Sequence, residues 1–182
     1  MRTLSEHILD IVQNSVKAKA TLIEIIVRED FINNLCYLII EDNGCGMSKE
    51  VLKQAANPFF TSRTTRKVGL GLSLLKQNAE AAGGTFSLES ELGVGTKLEA
   101  TFQLSNIDKP PMGDIWETFY LTFLSYTEGE LQYRHSTSKG EFAISSTELK
   151  EVLGEVSFQQ KEIRDGIIEL IKTNLEEIEA TK

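Results

Sequence analysis

Over residues 4–17, LSEHILDIVQNSVK, apolar side chains return every three or four positions at Leu4, Ile8, Ile11 and Val12, and Ser15 continues the stripe. That period predicts an amphipathic helix over 4–17 with one buried face. His7, Asp10, Asn14 and Lys17 form a second stripe beside it, placed to line the rim of a pocket rather than plain solvent. Residues 21–28 and 35–40 are rich in Ile, Leu and Val and flank a polar turn around Asn33 and Asn34, the pattern of paired strands. A short helix is expected over 48–56, with Ser48 as its N-cap and Asn57-Pro58 as its stop. Another follows Gly69-Leu70-Gly71 and runs through Ala82, closed by Gly83 and Gly84. Residues 85–90 and 96–104 read as a hairpin, because Leu98, Ala100, Phe102 and Leu104 alternate with Lys97, Glu99, Thr101 and Gln103. This order of elements predicts an α+β two-layer sandwich, with helices on one face of a mixed, largely antiparallel sheet.

Asp108-Lys109-Pro110-Pro111 breaks the pattern, since consecutive prolines cannot continue a ladder. The expected division is therefore 1–107, a linker over 108–113, and a small α+β unit over 114–182. In the last, an aromatic helix is expected over 113–126, a hairpin over 130–137 and 141–146, and an amphipathic helix over 159–178. Ile163, Ile167, Ile171 and Leu175 give that final helix its apolar stripe.

Composition narrows the class. The 182 residues are 41% hydrophobic and 25% charged, enough for a full core. The two cysteines, Cys36 and Cys45, lack metal-knuckle spacing and read as reduced thiols. The N-terminus has no apolar core of signal-peptide type, and no run approaches the roughly 18 apolar residues of a membrane span, so a cytoplasmic protein without a membrane partner is expected. A formal net charge of −8 argues against a nucleic-acid partner, because phosphate backbones are held by clustered Lys and Arg. One local exception is TSRTTRK, where Arg63, Arg66 and Lys67 make a positive patch without an acid among them.

The chemistry is carried by four separated stretches. EDNGCGM ends an apolar strand on Asp42 and continues into Gly44 and Gly46, a weak signal by itself because Asp and Gly are common turn residues. Downstream, the basic segment leads into VGLGLSLL, whose glycines let a backbone approach a phosphate chain at a helix start. Upstream stands Asn14 in HILDIVQNSVKAKA, and GVGTKLEATF follows. In this order the four resemble the ATP-binding domain shared by histidine kinases, the MutL mismatch-repair protein and the gyrase B subunit, the GHKL or Bergerat fold, over about 4–104. NPFFTSRTTRKVGLGL is similar to the kinase branch in particular. No GxxxxGK[ST] segment exists, which excludes a P-loop by sequence, and Gly69-Leu70-Gly71 lacks the third glycine of a dinucleotide fingerprint.

The resemblance implies ATP and Mg²⁺ as cofactors. Asp42 would accept a hydrogen bond from the adenine amino group, with Gly44, Gly46 and Met47 beside the base and Thr96 supporting it through its hydroxyl. Asn14 would coordinate the metal, and Lys17 would face a phosphate. Arg63, Arg66 and Lys67 would belong to the lid, and Gly69, Leu70 and Gly71 to the phosphate-proximal box. Asp10 departs from the pattern: in MutL and gyrase this position is a glutamate that activates water, and in many histidine kinases an asparagine. Asp10 is read either as a general base or as a helix-face acid tied to Lys17, Arg2 or a metal-bound water.

A full histidine kinase carries a phosphoacceptor histidine ahead of this domain, and His7 and His135 read as structural or surface histidines instead. Three functions stay open: a signalling kinase acting in trans on a partner protein that carries the phosphoacceptor, an ATPase switch resetting a conformational state, or an ATP-sensing binding module. The C-terminal unit is expected, from its position, to regulate or to homodimerise.

Overall fold

The computed structural model describes residues 1–55, 71–154 and 157–181. Helix α1 (Leu4–Lys17) begins where the Thr3 hydroxyl accepts from the Glu6 N–H at 3.3 Å. It ends in a Schellman turn: Lys19 is left-handed at φ 57°, its N–H donates to the Val16 carbonyl at 3.0 Å, and the Ala20 N–H donates to the Ser15 carbonyl at 3.1 Å. Leu4, Ile8, Ile11, Val12 and Ser15 form its buried face, as the spacing predicts.

Strands β1 (Leu22–Asp30) and β2 (Leu35–Asp42) pair antiparallel, joined by a turn with Asn34 at φ 56°. Helices α2 (Lys49–Ala55) and α3 (Gly71–Ala81) precede the hairpin of β3 (Phe86–Glu91) and β4 (Gly95–Gln103). Then come α4 (Ile115–Ser125), β5 (Glu130–Ser136), β6 (Glu141–Ser145), α5 (Ser146–Leu153) and α6 (Lys161–Glu177). The sheet runs β3-β4-β2-β1-β5-β6, antiparallel throughout except for β1 and β5. The mixed, largely antiparallel sheet of the expected sandwich is thus present.

In β1 the buried positions alternate strictly, with Ile23, Ile25 and Val27 in the core. That alternation places one sheet face under the helices. Strand β5 lies in register with β1, Leu22 opposite Glu130, so the residues after Pro111 share one sheet and one apolar core with those before it. The proline segment itself packs: the Leu4 and Ser5 N–H groups donate to the Pro111 and Met112 carbonyls, both at 2.9 Å.

Helix α5 is an element the hydrophobic pattern does not predict. Its cue is a capping box, in which the Ser145 hydroxyl accepts from the Glu148 N–H at 3.1 Å and the Glu148 carboxylate accepts from the Ser145 N–H at 3.0 Å. Among the described residues no helix is long and apolar enough to cross a membrane.

Candidate functional site

Strand β2 delivers Asp42 to the edge of a cavity of about 370 Å³. Both carboxylate oxygens are held: Oδ2 accepts from the Ser15 hydroxyl at 2.6 Å, and Oδ1 from the Gly44 N–H at 2.9 Å in an Asx turn. A carboxylate offers about four lone-pair sites, so two donors fix its orientation and leave acceptor capacity for a ligand. Ser15 belongs to the apolar stripe of α1, and its polarity there is the signal that a partner was required, because buried hydroxyls are hydrogen-bonded.

The next residues are shaped by close approach. A Cβ on Gly44 would stand 2.8 Å from the Ala18 Cβ, and one on Gly46, at φ +63°, would overlap the Glu91 carbonyl. Glycine is therefore a steric requirement at both positions. The Cys45 N–H donates to the Ala18 carbonyl at 2.9 Å, and the Met47 N–H to the Ser90 hydroxyl at 2.8 Å. Ser90 spends its single proton on the Gly95 carbonyl at 2.8 Å, so the Thr96 hydroxyl, 2.9 Å away, is the donor to Ser90. Thr96 lies opposite Asp42 in the β2–β4 register, which puts it on the cavity wall. Ser90 carries no sequence signal, because its role depends on two chain segments meeting.

Asn43 anchors the other side of the turn. Its Oδ1 accepts from the Thr21 and Leu22 N–H groups, both at 2.8 Å, and its amide donates to the Thr21 hydroxyl at 2.9 Å. The end of β2 is thereby fastened to the start of β1.

Asp10, Asn14 and Lys17 line the same cavity from α1, and Ile40, Leu72, Leu88 and Leu98 give it an apolar wall suited to a flat ring. Gly71 opens α3 directly against Asp10, and a Cβ there would overlap Asp10 Oδ2. The start of a helix is also where the backbone dipole favours a carboxylate. His7 differs from its expected place on the rim. It is fully buried toward α3, with Nε2 accepting from the Asn78 amide at 2.9 Å, and burial is the main force pushing its pKa below the ordinary 6.5.

The structure thus brings Asp10, Asn14, Lys17, Asp42, Gly46, Met47 and Thr96 around one cavity, with Gly44 and Gly71 packed at its edges. Arg63, Arg66, Lys67, Gly69 and Leu70 lie outside the described residues. A shallower hollow of about 430 Å³ over Glu24, Glu41, Glu89 and Lys97 sits where strand alternation points the other way. Its acidic lining opposes a phosphate ligand.

The residues fit a nucleotide: a fixed acceptor carboxylate, glycine-cleared backbone and an apolar wall in one cavity. For a divalent cation the donor set is small. Among the described residues no group of three or more His, Cys, Asp or Glu could hold a metal alone. Asn14 suits an ion such as Mg²⁺, which takes one or two protein oxygens and otherwise keeps phosphates and waters.

Residues 2–106 match the family model for histidine kinase-, DNA gyrase B-, and HSP90-like ATPases. The histidine protein kinase DivJ of Caulobacter vibrioides is 30% identical over 99 residues, covering 52% of this chain and 17% of that protein. The sensor protein RprX of Bacteroides fragilis is 34% identical over 101 residues, covering 52% of this chain and 20% of that protein. The chain therefore spans a fifth or less of the length of these relatives. A crystal structure of the N-terminal domain of a DNA repair protein superposes with a TM-score of 0.54 at 17% identity, covering 79% of this chain and 52% of that one. That likeness shows the fold alone.

Proposed function

The chain belongs to the histidine kinase-, DNA gyrase B- and HSP90-like ATPase family, and from that membership we propose that it binds Mg-ATP and acts as a signalling kinase in trans on a partner protein. The observation that carries this reading is Asp42, held by Ser15 and Gly44 at the edge of an apolar-walled cavity, an acceptor pre-set for an exocyclic amino group. Preorganisation of this kind removes the cost of ordering the carboxylate when ligand arrives.

In this reading Gly44 and Gly46 let the backbone lie against the base, and Met47 and Thr96 close the site around it. Asn14 would hold Mg²⁺, which when bound supplies charge neutralisation to the phosphate oxygens. Lys17 would face the phosphates as a point charge, and Arg63, Arg66 and Lys67, which lie outside the described residues, would add the cations that the resemblance assigns to the lid. Phosphoryl transfer of this type asks the protein for positioning and electrostatic stabilisation rather than covalent chemistry. The acceptor would be a side chain of the partner, and residues 114–182 would be the regulatory or homodimerising surface.

One observation favours a second reading, ATP hydrolysis as a conformational switch. The Asp10 carboxylate lines the cavity one helical turn before Asn14, where it can orient or deprotonate a water.

The test incubates pure protein with Mg²⁺ and γ-labelled ATP, with Asp42→Asn as the contamination control. Label retained on bound ATP until a partner protein is supplied supports the kinase reading. Phosphate released by the wild type alone moves the assignment to hydrolysis, and Asp42→Asn binding ATP as the wild type does would sink the pocket assignment.

A further inference from the structure

We infer that Tyr126, at the C-terminal end of α4 and outside the family match, is a positioning residue for the nucleotide site: it steadies the Asp42 carboxylate through the turn that ends α1. This rests on the reading of Asp42 as the adenine acceptor. Tyr126 is 4% exposed, and its hydroxyl donates to the Ala20 carbonyl at 2.6 Å across 106 residues of sequence. The Ala20 N–H donates to the Ser15 carbonyl at 3.1 Å, and the Ser15 hydroxyl donates to Asp42 Oδ2 at 2.6 Å. Three consecutive hydrogen bonds thus join a residue beyond the double proline to the carboxylate on the cavity.

The turn is gripped from both sides. On the cavity side, Ala18 receives the Cys45 N–H at 2.9 Å and packs on Gly44. On the far side, the Glu130 N–H donates to the Thr21 carbonyl at 2.9 Å, and Gly129 is small enough to let the Tyr126 hydroxyl reach in. A Cβ on Gly129 would overlap that hydroxyl. Burial raises the Tyr126 pKa, and the negative charge of Asp42 raises it further, so the two groups feel each other's field. The Ala20 residue is itself buried, and removing the hydroxyl takes away the side-chain donor to its carbonyl.

A positioning role predicts a loss specific to adenine. Asp42 reads the exocyclic amino group, so loosening it weakens ATP and leaves a guanine nucleotide, which offers no such donor at that position, unaffected. Tyr120 supplies the control: it lies on the same helix, is equally buried, and donates its hydroxyl to the Phe158 carbonyl at 2.9 Å away from the cavity.

Calorimetric titration of wild type, Tyr126→Phe and Tyr120→Phe with ATP and with GTP tests the inference. Tyr126→Phe is expected to raise the ATP Kd by about fivefold with the GTP Kd unchanged, the size of one lost hydrogen bond. Tyr120→Phe should lower the melting temperature comparably and leave both Kd values as in wild type. Adding Ser15→Ala to Tyr126→Phe should cost no more adenine preference than Ser15→Ala alone, since both act on one chain of bonds. Unchanged ATP affinity in Tyr126→Phe, or equal losses for ATP and GTP, overturns the positioning role while leaving the site assignment standing. A wild type that binds neither nucleotide, or an Asp42→Asn variant that binds ATP normally, overturns the site assignment and the inference together.

Discussion

Asp10, on the cavity wall, packs against Gly71: the carboxylate of the one rests where the side chain of any residue other than glycine would stand. The asparagine-bearing face of α1 and the start of α3 are therefore matched by the absence of one carbon atom. Asp10→Asn keeps the shape and removes the charge, so nucleotide affinity should stay within about threefold while hydrolysis or transfer falls by about 100-fold. Gly71→Ala pushes the carboxylate aside, and in an Asp10→Asn background it should add little further loss of turnover. Label transfer with the four proteins of this cycle checks both statements; additive losses would separate the two residues.

Gly46 carries a backbone constraint as well as a steric one. At φ +63°, with the Glu91 carbonyl in the place of a Cβ, Gly46→Ala should destabilise the fold by about 2 kcal/mol or more. The obstruction is main chain, which cannot rotate away as a side chain can. Urea unfolding of the variant measures it, and a midpoint equal to that of the wild type would contradict the geometry.

Asn14 tests the metal separately from the base. If its side-chain oxygen is the protein ligand to Mg²⁺, Asn14→Ala should bind ATP in EDTA as the wild type does and gain little on adding Mg²⁺. The wild type should gain at least tenfold, a figure of about the size expected for one hydrogen bond or ligand to a charged group. An equal magnesium response in both proteins would remove Asn14 from the metal site.

Two buried groups give stability a defined pH dependence. Burial holds the His7 pKa below 6.5 in the folded state, so as pH falls below about 6.5 the unfolded chain takes up a proton that the native state refuses. Stability is full above that value and declines as the pH drops toward the depressed folded pKa. Glu29, buried in β1, follows in a second limb. Burial pushes its pKa up, but the bond from His135 Nε2 at 2.9 Å and those from the Thr181 N–H and hydroxyl at 3.0 and 2.9 Å outweigh it and hold the pKa below 4.5. Its contribution is complete above the ordinary glutamate value and is lost as pH falls through the folded one. Urea midpoints taken from about pH 7.5 to about pH 4 should fall in both limbs, and His7→Gln should flatten the first. A midpoint that rises on acidification would reverse the sign and refute the burial argument.

Much of this molecule can be read locally. Helix α1 is bounded by the residues its period names, and β4 (Gly95–Gln103) falls within one residue at each end of the 96–104 its alternation names, because each signal is a repeat among near neighbours facing one core. Asp42, Gly44 and Gly46 are ambiguous alone, because the same residues make ordinary turns, and they gain meaning only in company with the other three stretches of the sequence. Ser15 was readable in part: a hydroxyl inside an apolar stripe announces a partner without naming it.

Tertiary packing decided the remainder. The parallel seat of β5 beside β1 joins residues 22 and 130, and no local pattern encodes which edge a strand will take. Tyr126 reads as one more aromatic at a helix end until its hydroxyl is found on Ala20, and the sequence around Gly71 does not reveal that Asp10 is its neighbour. Periodicity reports which face of an element is buried, and it does so through residues three or four places apart. What that face meets depends on how the chain closes over much longer separations, where hydrogen-bond partners are chosen by the packed geometry as a whole.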